Sequence, residues 1–294
     1  MSNNSEDEKS NKFIFAFFYF VWYHLQYIGG IMARAIVITS GKGGVGKTTV
    51  TANLGMHLAE KNYRVCMLDM DIGLNNLDVV MNMEDRIIYT ITDVIENKCR
   101  IKEALVQDDT YPLLYMLSTG GLSNNLSISL AEIKNVINEL HTTFDFILID
   151  CPAGIDAGFK RAVSIADEAI VVTTPHLSSV RDADKVVTIL SSYNITSKRF
   201  VINRARGDLM QDKLMFDVYD IGKILGIEFG AVIPEDDKVI TNTSETIKNN
   251  KVAVNRAFEI LAENIITGSK KMFDCTYKYR GILGGIKKLL KRSV

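Results

Sequence analysis

Runs of branched and aromatic apolar residues alternate along the chain with stretches of helical spacing. The runs at residues 35–39, 64–68, 113–118, 144–150, 168–173 and 200–203 are short and nearly continuous in apolar character. Such runs fit strands buried on both faces of a parallel sheet. Residues 47–60, 129–140 and 252–267 instead repeat their apolar positions at the spacing of amphipathic helices. Another helix opens around residues 178–184, where Ser178 or Ser179 reads as its N-cap. Residues 81–110 carry a broken helical pattern and read as structural cover. The alternation predicts an α/β fold, a mainly parallel β-sheet with helices on both faces. In such folds ligands bind beyond the C-terminal ends of the strands.

Composition narrows the class. Of 294 residues, 47% are apolar, enough for one sizeable core. The formal net charge of −1 lacks the basic excess of a nucleic-acid-binding domain, so no nucleic acid is expected as a partner. Cys66, Cys99, Cys151 and Cys275 are scattered with no C-x-x-C pair. That argues against zinc and iron–sulfur centres and fits a reducing compartment. Isoleucine exceeds leucine, asparagine is frequent and only 4 prolines occur, the bias of an AT-rich genome such as a plastid's.

One polar stretch organises the rest. Residues 40–49, SGKGGVGKTT, follow the first apolar run and open the first helix. Strand, glycine-rich turn and helix are the parts of a phosphate-binding loop, here G-x-x-x-x-G-K-T from Gly41 to Thr48. Gly41, Gly43, Gly44 and Gly46 let backbone N–H groups converge, with Val45 and Thr49 in the same cradle. The helix start adds unpaired N–H groups and the positive end of its dipole. Lys47 is placed to reach the β- and γ-phosphates of a nucleotide, and Thr48 to put its hydroxyl on Mg²⁺. The run 144–150 ends in Asp150, an acid that would hold Mg²⁺ through water. Asp69 and Asp71 follow the run 64–68. Asp71 is placed to orient the attacking water or a water on the metal, and Asp69 to support the metal shell. Cys151 reads as a small neutral residue, not a nucleophile, and Gly154 as a pivot that turns with the γ-phosphate.

Lys42 goes beyond what an ordinary phosphate loop needs, because Lys47 already neutralises the phosphates. GKGGVGKT resembles the deviant Walker A loop of the MinD/ParA ATPase family. DMDIGLNNLD, LIDCPAGI, SSVRDAD and VIPED resemble segments of the MinD branch of that family, and the likeness runs from about Met32 to the end. The resemblance implies ATP and Mg²⁺ as cofactors and a homodimer formed with ATP. In that dimer Lys42 would cross the interface and touch the partner's nucleotide. It implies that Asn76 lies near the nucleotide, that Asn203 reads the adenine edge with Arg204 beside the base, and that Pro234 belongs to the loop closing over adenine. It also implies that Asp182 and Asp184 lie on a surface used by partner proteins. Lys42, Lys47 and Asp71 are the catalytic set expected from residues and resemblance together.

The ends of the chain differ from the core. Residues 1–12 are polar and acidic, and an aromatic-rich stretch follows to residue 31. It is short for a bilayer span and lacks the features of a secretory signal or transit peptide. It reads as a membrane anchor, an interfacial segment, or an appendage ahead of Met32, the last being preferred. Residues 32–268 read as one ATPase domain and 269–294 as a linker with a C-terminal helix. In that tail Tyr279, Ile282, Leu283, Ile286, Leu289 and Leu290 share one face, while Lys287 and Lys288 lie opposite. A basic amphipathic segment of this kind reads as membrane-surface or calmodulin-target-like.

The resemblance therefore implies a septum-site-determining ATPase that pairs on ATP, binds an anionic membrane through its tail and exchanges with cytosol or stroma. A MinC-like inhibitor and a MinE-like activator are the implied partners, with slow intrinsic hydrolysis of ATP by water. A chloroplast setting is preferred to a bacterial cytoplasm. Two rivals stand beside it: a ParA-like partition ATPase that binds DNA, and a non-enzymatic scaffold anchored by the aromatic N-terminal stretch.

Overall fold

The computed structural model describes residues 33–71, 76–120, 129–236 and 253–280. The aromatic stretch before Met32, residues 72–75, and the tail positions Ile282, Leu283, Ile286, Lys287, Lys288, Leu289 and Leu290 lie outside the described residues. Among the described residues no helix is long and apolar enough to cross a membrane.

Eight strands form one sheet in the order β3-β4-β2-β5-β1-β6-β7-β8. They are β1 (Arg34–Thr39), β2 (Val65–Asp69), β3 (Val106–Gln107), β4 (Leu114–Ser118), β5 (Phe146–Asp150), β6 (Glu168–Thr173), β7 (Ser197–Ala205) and β8 (Glu228–Pro234). All pairings are parallel except β3 with β4. The helices are α1 (Lys47–Glu60), α2 (Leu77–Met81), α3 (Ile91–Ile95), α4 (Ile101–Ala104), α5 (Leu130–His141), α6 (Ala157–Val163), α7 (Leu177–Leu190), α8 (Gly207–Gln211), α9 (Val218–Leu225) and α10 (Ala253–Thr267).

Period-two alternation in β1 divides the interior into two layers. Ile36 and Ile38 join Val50, Leu54 and Leu58 of α1 and Phe258 and Leu261 of α10. Ala35 and Val37 face the other way, toward Ile137 of α5, Phe159 of α6, Val186 of α7 and Ile221 of α9. Helices thus cover both faces, as the apolar runs require. Helix α5 starts where a capping box forces it: Ser129 Oγ accepts from Glu132 N–H at 3.2 Å, and Ser129 N–H donates to Glu132 Oε2 at 2.8 Å.

Several expectations change. The cover at 81–110 contains three short helical pieces and the antiparallel edge strand β3, whose two residues are too few to show alternation. Neither Ser178 nor Ser179 caps α7, which begins at Leu177 after His176. Ser179 lies inside the first turn, where its hydroxyl accepts from Thr174 N–H at 3.1 Å. The segment after α10 is not a free linker. Asn264 ties it down, Nδ2 donating to Lys271 O at 2.8 Å and Oδ1 accepting from Lys271 N–H at 3.0 Å. Cys275 is buried, and Gly207 of α8 touches its carbonyl so closely that a Cβ would collide. Tyr279, expected on the membrane-facing side of the tail, instead belongs to a 3₁₀ turn, Tyr277–Tyr279, packed against α8. Core packing therefore extends to Cys275, and contacts with α8 to the 3₁₀ turn.

Candidate functional site

The phosphate loop sits in the turn between β1 and α1, at the centre of the C-terminal edge of the sheet. Gly44 (φ 73) and Gly46 (φ 95) adopt left-handed conformations that side chains disfavour, which lets the loop curl into the start of α1. Gly46 is the N-cap position and offers no side-chain cap. The unpaired N–H groups there remain available to an anion. The two lysines of the loop have opposite environments. Lys47 is 8% exposed, whereas Lys42 is exposed. Gly41 packs so tightly on the backbone of Asp182 that a Cβ would collide with it.

Asp69 and Asp150 end adjacent strands and are register partners across β2 and β5. Each is 2% exposed. Burial pushes the Asp150 carboxyl up to about 7, against the lowering effects of the Thr48 hydroxyl, Lys47 and Thr51. Thr51 Oγ1 donates to Asp150 Oδ1 at 3.2 Å. A buried carboxylate beside the Thr48 hydroxyl is a hard oxygen donor set suited to Mg²⁺. Among the described residues no group of three or more His, Cys, Asp or Glu side chains could hold a metal alone.

Asp69 is held by backbone amides. Its Oδ1 accepts from Asp71 N–H at 2.9 Å, and its Oδ2 from Asn76 N–H at 3.2 Å and Leu77 N–H at 3.1 Å. Burial raises its pKa, while these amides pull the other way. Asp69 thus ties Asp71, Asn76 and the start of α2 to the end of β2. Asp71 is left half-buried at the strand tip.

Cys151 follows Asp150, is 1% exposed, and burial pushes its thiol up to about 12, which suits a small neutral filler. Gly154 is left-handed (φ 90) and is followed by Ile155, a large apolar residue 46% exposed. Asn203 is buried at the end of β7, with its Nδ2 donating to Val45 O at 2.8 Å. Pro234 closes β8 beside Ala205. Asp182 and Asp184 lie on α7, the first half-buried and hydrogen-bonded by Lys185 at 3.1 Å, the second exposed. The loop, Asp71, Asp150, Asn203 and Pro234 thus all fall at one sheet edge, and Asp182 touches that edge from α7. The sequence left unread the contribution of Arg206, which bridges Asp208 at 2.8 Å and Glu235 at 3.7 Å beside Pro234. The R-x-D spacing of Arg206 and Asp208 was its visible signal.

A family model described as an AAA domain matches residues 33–201. The chain is 44% identical over 263 residues to the septum site-determining protein MinD of Bacillus subtilis, covering 87% of this chain and 97% of that protein. It is 47% identical over 213 residues to a putative septum site-determining protein MinD of Guillardia theta, covering 72% and 79%. Among solved structures, it superposes on MinD in the MinC:MinD complex of Aquifex aeolicus with a TM-score of 0.75 at 37% identity, covering 81% and 97%. It also matches the Pyrococcus horikoshii MinD complexed with Mg-ADP, with a TM-score of 0.71 at 31% identity, covering 80% and 97%. A ParA family ATPase of Chlorobium tepidum, at 20% identity, shares the fold alone. With its phosphate loop and paired strand-end acids in the arrangement of a nucleotide hydrolase, the chain belongs to the septum site-determining MinD family of P-loop ATPases.

Proposed function

We propose that this ATPase pairs face to face on ATP, docks on an anionic membrane through its C-terminal tail, and hydrolyses ATP when a partner engages α7. The observation that carries the reading is the contrast between the two loop lysines. Lys47 is enclosed, as a residue serving its own nucleotide must be, while Lys42 stands exposed, free to reach a second copy. Ile155 and Leu177, 46% and 47% exposed, supply apolar surface on segments that follow strand ends of the same edge.

Mg²⁺ would be held by Thr48 and Asp150, and when bound it supplies charge stabilisation for the transferring phosphoryl group. The backbone amides of residues 43–49 orient the phosphates, with Lys47 along them. Asp71 orients the attacking water, and Lys42 of a second copy completes the charge clamp. Turnover without a partner would be slow, since the sequence offers no strong general base in these motifs. A MinE-like activator on Asp182 and Asp184 would act on the loop directly, because the Asp182 backbone abuts Gly41. The MinC:MinD complex of the relative supports a MinC-like inhibitor as a second partner. The basic amphipathic tail, paired in a dimer, gains membrane affinity through effective concentration. Peripheral attachment to an inner membrane face follows, in a plastid by composition and by likeness to the Guillardia theta relative.

Sedimentation with anionic liposomes tests this. Pelleting should require ATP, fail with ADP, and be lost in a chain ending at Arg280 and in Lys42→Ala. Pelleting indifferent to nucleotide would contradict the switch. Full partner-stimulated hydrolysis in Lys42→Ala would contradict the lysine's role across the interface.

A further inference from the structure

Asn203 makes contacts that reading a base does not require. It is 7% exposed, near the end of β7, where pairing with β8 slips between Ile202 and Ala205. Its Nδ2 donates to Val45 O at 2.8 Å, across 158 residues of sequence. Its Oδ1 accepts from Arg204 N–H at 2.9 Å. Arg204 is itself left-handed, with φ 55, a conformation that side chains disfavour inside a strand. Both ends of one amide therefore hold backbone in place: one end the bulge of β7, the other the phosphate loop.

The contact on the loop has a directional consequence. A trans peptide is planar, so the carbonyl of residue 45 and the N–H of residue 46 point in opposite directions. Fixing Val45 O on Asn203 fixes Gly46 N–H, one of the donors that a phosphate in the loop meets. Loop and amide are in close packing, since a Cβ at Gly46 would collide with Asn203 Nδ2. Helix α1 offers no side-chain cap at this turn, so the restraint comes from β7.

We propose that Asn203 is a positioning residue for the phosphate loop: it braces the Val45–Gly46 peptide against the β7 bulge and holds the loop in anion-binding geometry whether or not a base is present. This rests on the nucleotide-binding reading of the loop. It adds that base contact near β7 and phosphate contact at Gly46 act through the same amide.

The test uses a ligand without a base. Binding of Mg²⁺·pyrophosphate, ADP and GDP is measured on the full chain, on Asn203→Ala and on Asn203→Ser, with folding checked by circular dichroism. Bracing predicts pyrophosphate affinity lower by about 3- to 10-fold in both variants. It also predicts faster amide exchange at residues 43–49 in the ligand-free variants. Unchanged pyrophosphate affinity, with only the preference for ADP over GDP reduced, overturns the proposal and leaves a base reader. If the alanine chain does not fold, the serine chain decides on the same criterion. A wild-type chain that binds neither ADP nor pyrophosphate would instead overturn the nucleotide-site reading itself.

Discussion

The N-terminal edge of the sheet and the strand ends beside the phosphate loop treat charge differently. At the N-terminal edge, acids and bases are zipped together. Arg34 binds Glu168 through Nη2 at 2.8 Å and the Ile265 carbonyl at 2.7 Å. Arg199 then joins Glu168 at 3.5 Å to Glu228 at 3.4 Å, and Lys270 closes the row on Glu228 at 3.3 Å. At the C-terminal edge, Asp150 has the hydroxyls of Thr48 and Thr51 as hydrogen-bond partners, and Asp69 has backbone amides. Both carboxyls are buried and pushed upward, the direction expected where charge is not fully compensated. The difference marks the C-terminal edge as one kept for an external cation and anion.

Lys47→Ala should give the largest effect at the open edge. ATP hydrolysis should fall by about 100-fold or more, with the fold intact by circular dichroism. A variant with near-normal turnover would remove Lys47 from the chemistry.

Glu168→Gln is the mirror experiment at the closed edge. It should lower folding free energy by about 1–3 kcal/mol, read by urea unfolding, while ADP affinity stays within about twofold of the wild type. Loss of ADP affinity at preserved stability would break the contrast between the edges.

The central strands were legible because their sequences are nearly pure. The run ending in Asp150 has apolar residues on both faces and an acid at its tip, so strand, depth and site edge follow together. The glycines and lysines of the loop were equally plain, since few other backbones demand that spacing. What stayed hidden depends on partners distant in sequence. Residues 268–274 look like a linker until Asn264 is brought beside Lys271. The three backbone amides that meet Asp69 are likewise invisible until the chain folds. The motif gave Asn203 a place near the nucleotide, but the direction of its amide toward Val45 is a tertiary fact.

His57, in the last turn of α1, sharpens the comparison with a smaller effect. Its Nδ1 lies 2.8 Å from Glu60 Oε2, yet burial outweighs that partner and lowers its pKa. A lowered pKa means that the unfolded chain binds the proton more readily. Stability from this group is therefore full above the unfolded value of about 6.5 and is lost as pH falls through the lower folded value. Urea midpoints taken from pH 7.5 down to 5 should decline, and His57→Gln should flatten that decline. An unchanged slope would show that burial does not dominate at this position.

Thermal unfolding of Asp150→Asn, with and without Mg²⁺·ADP, tests the asymmetry most directly. A buried carboxylate that is only partly compensated costs the ligand-free fold, so the variant should melt at or above the wild-type temperature without ligand. The rise in melting temperature that Mg²⁺·ADP gives the wild type should be lost or sharply reduced. A variant that melts lower without ligand, yet keeps the full ligand-induced rise, would show that Asp150 serves the fold and not the site.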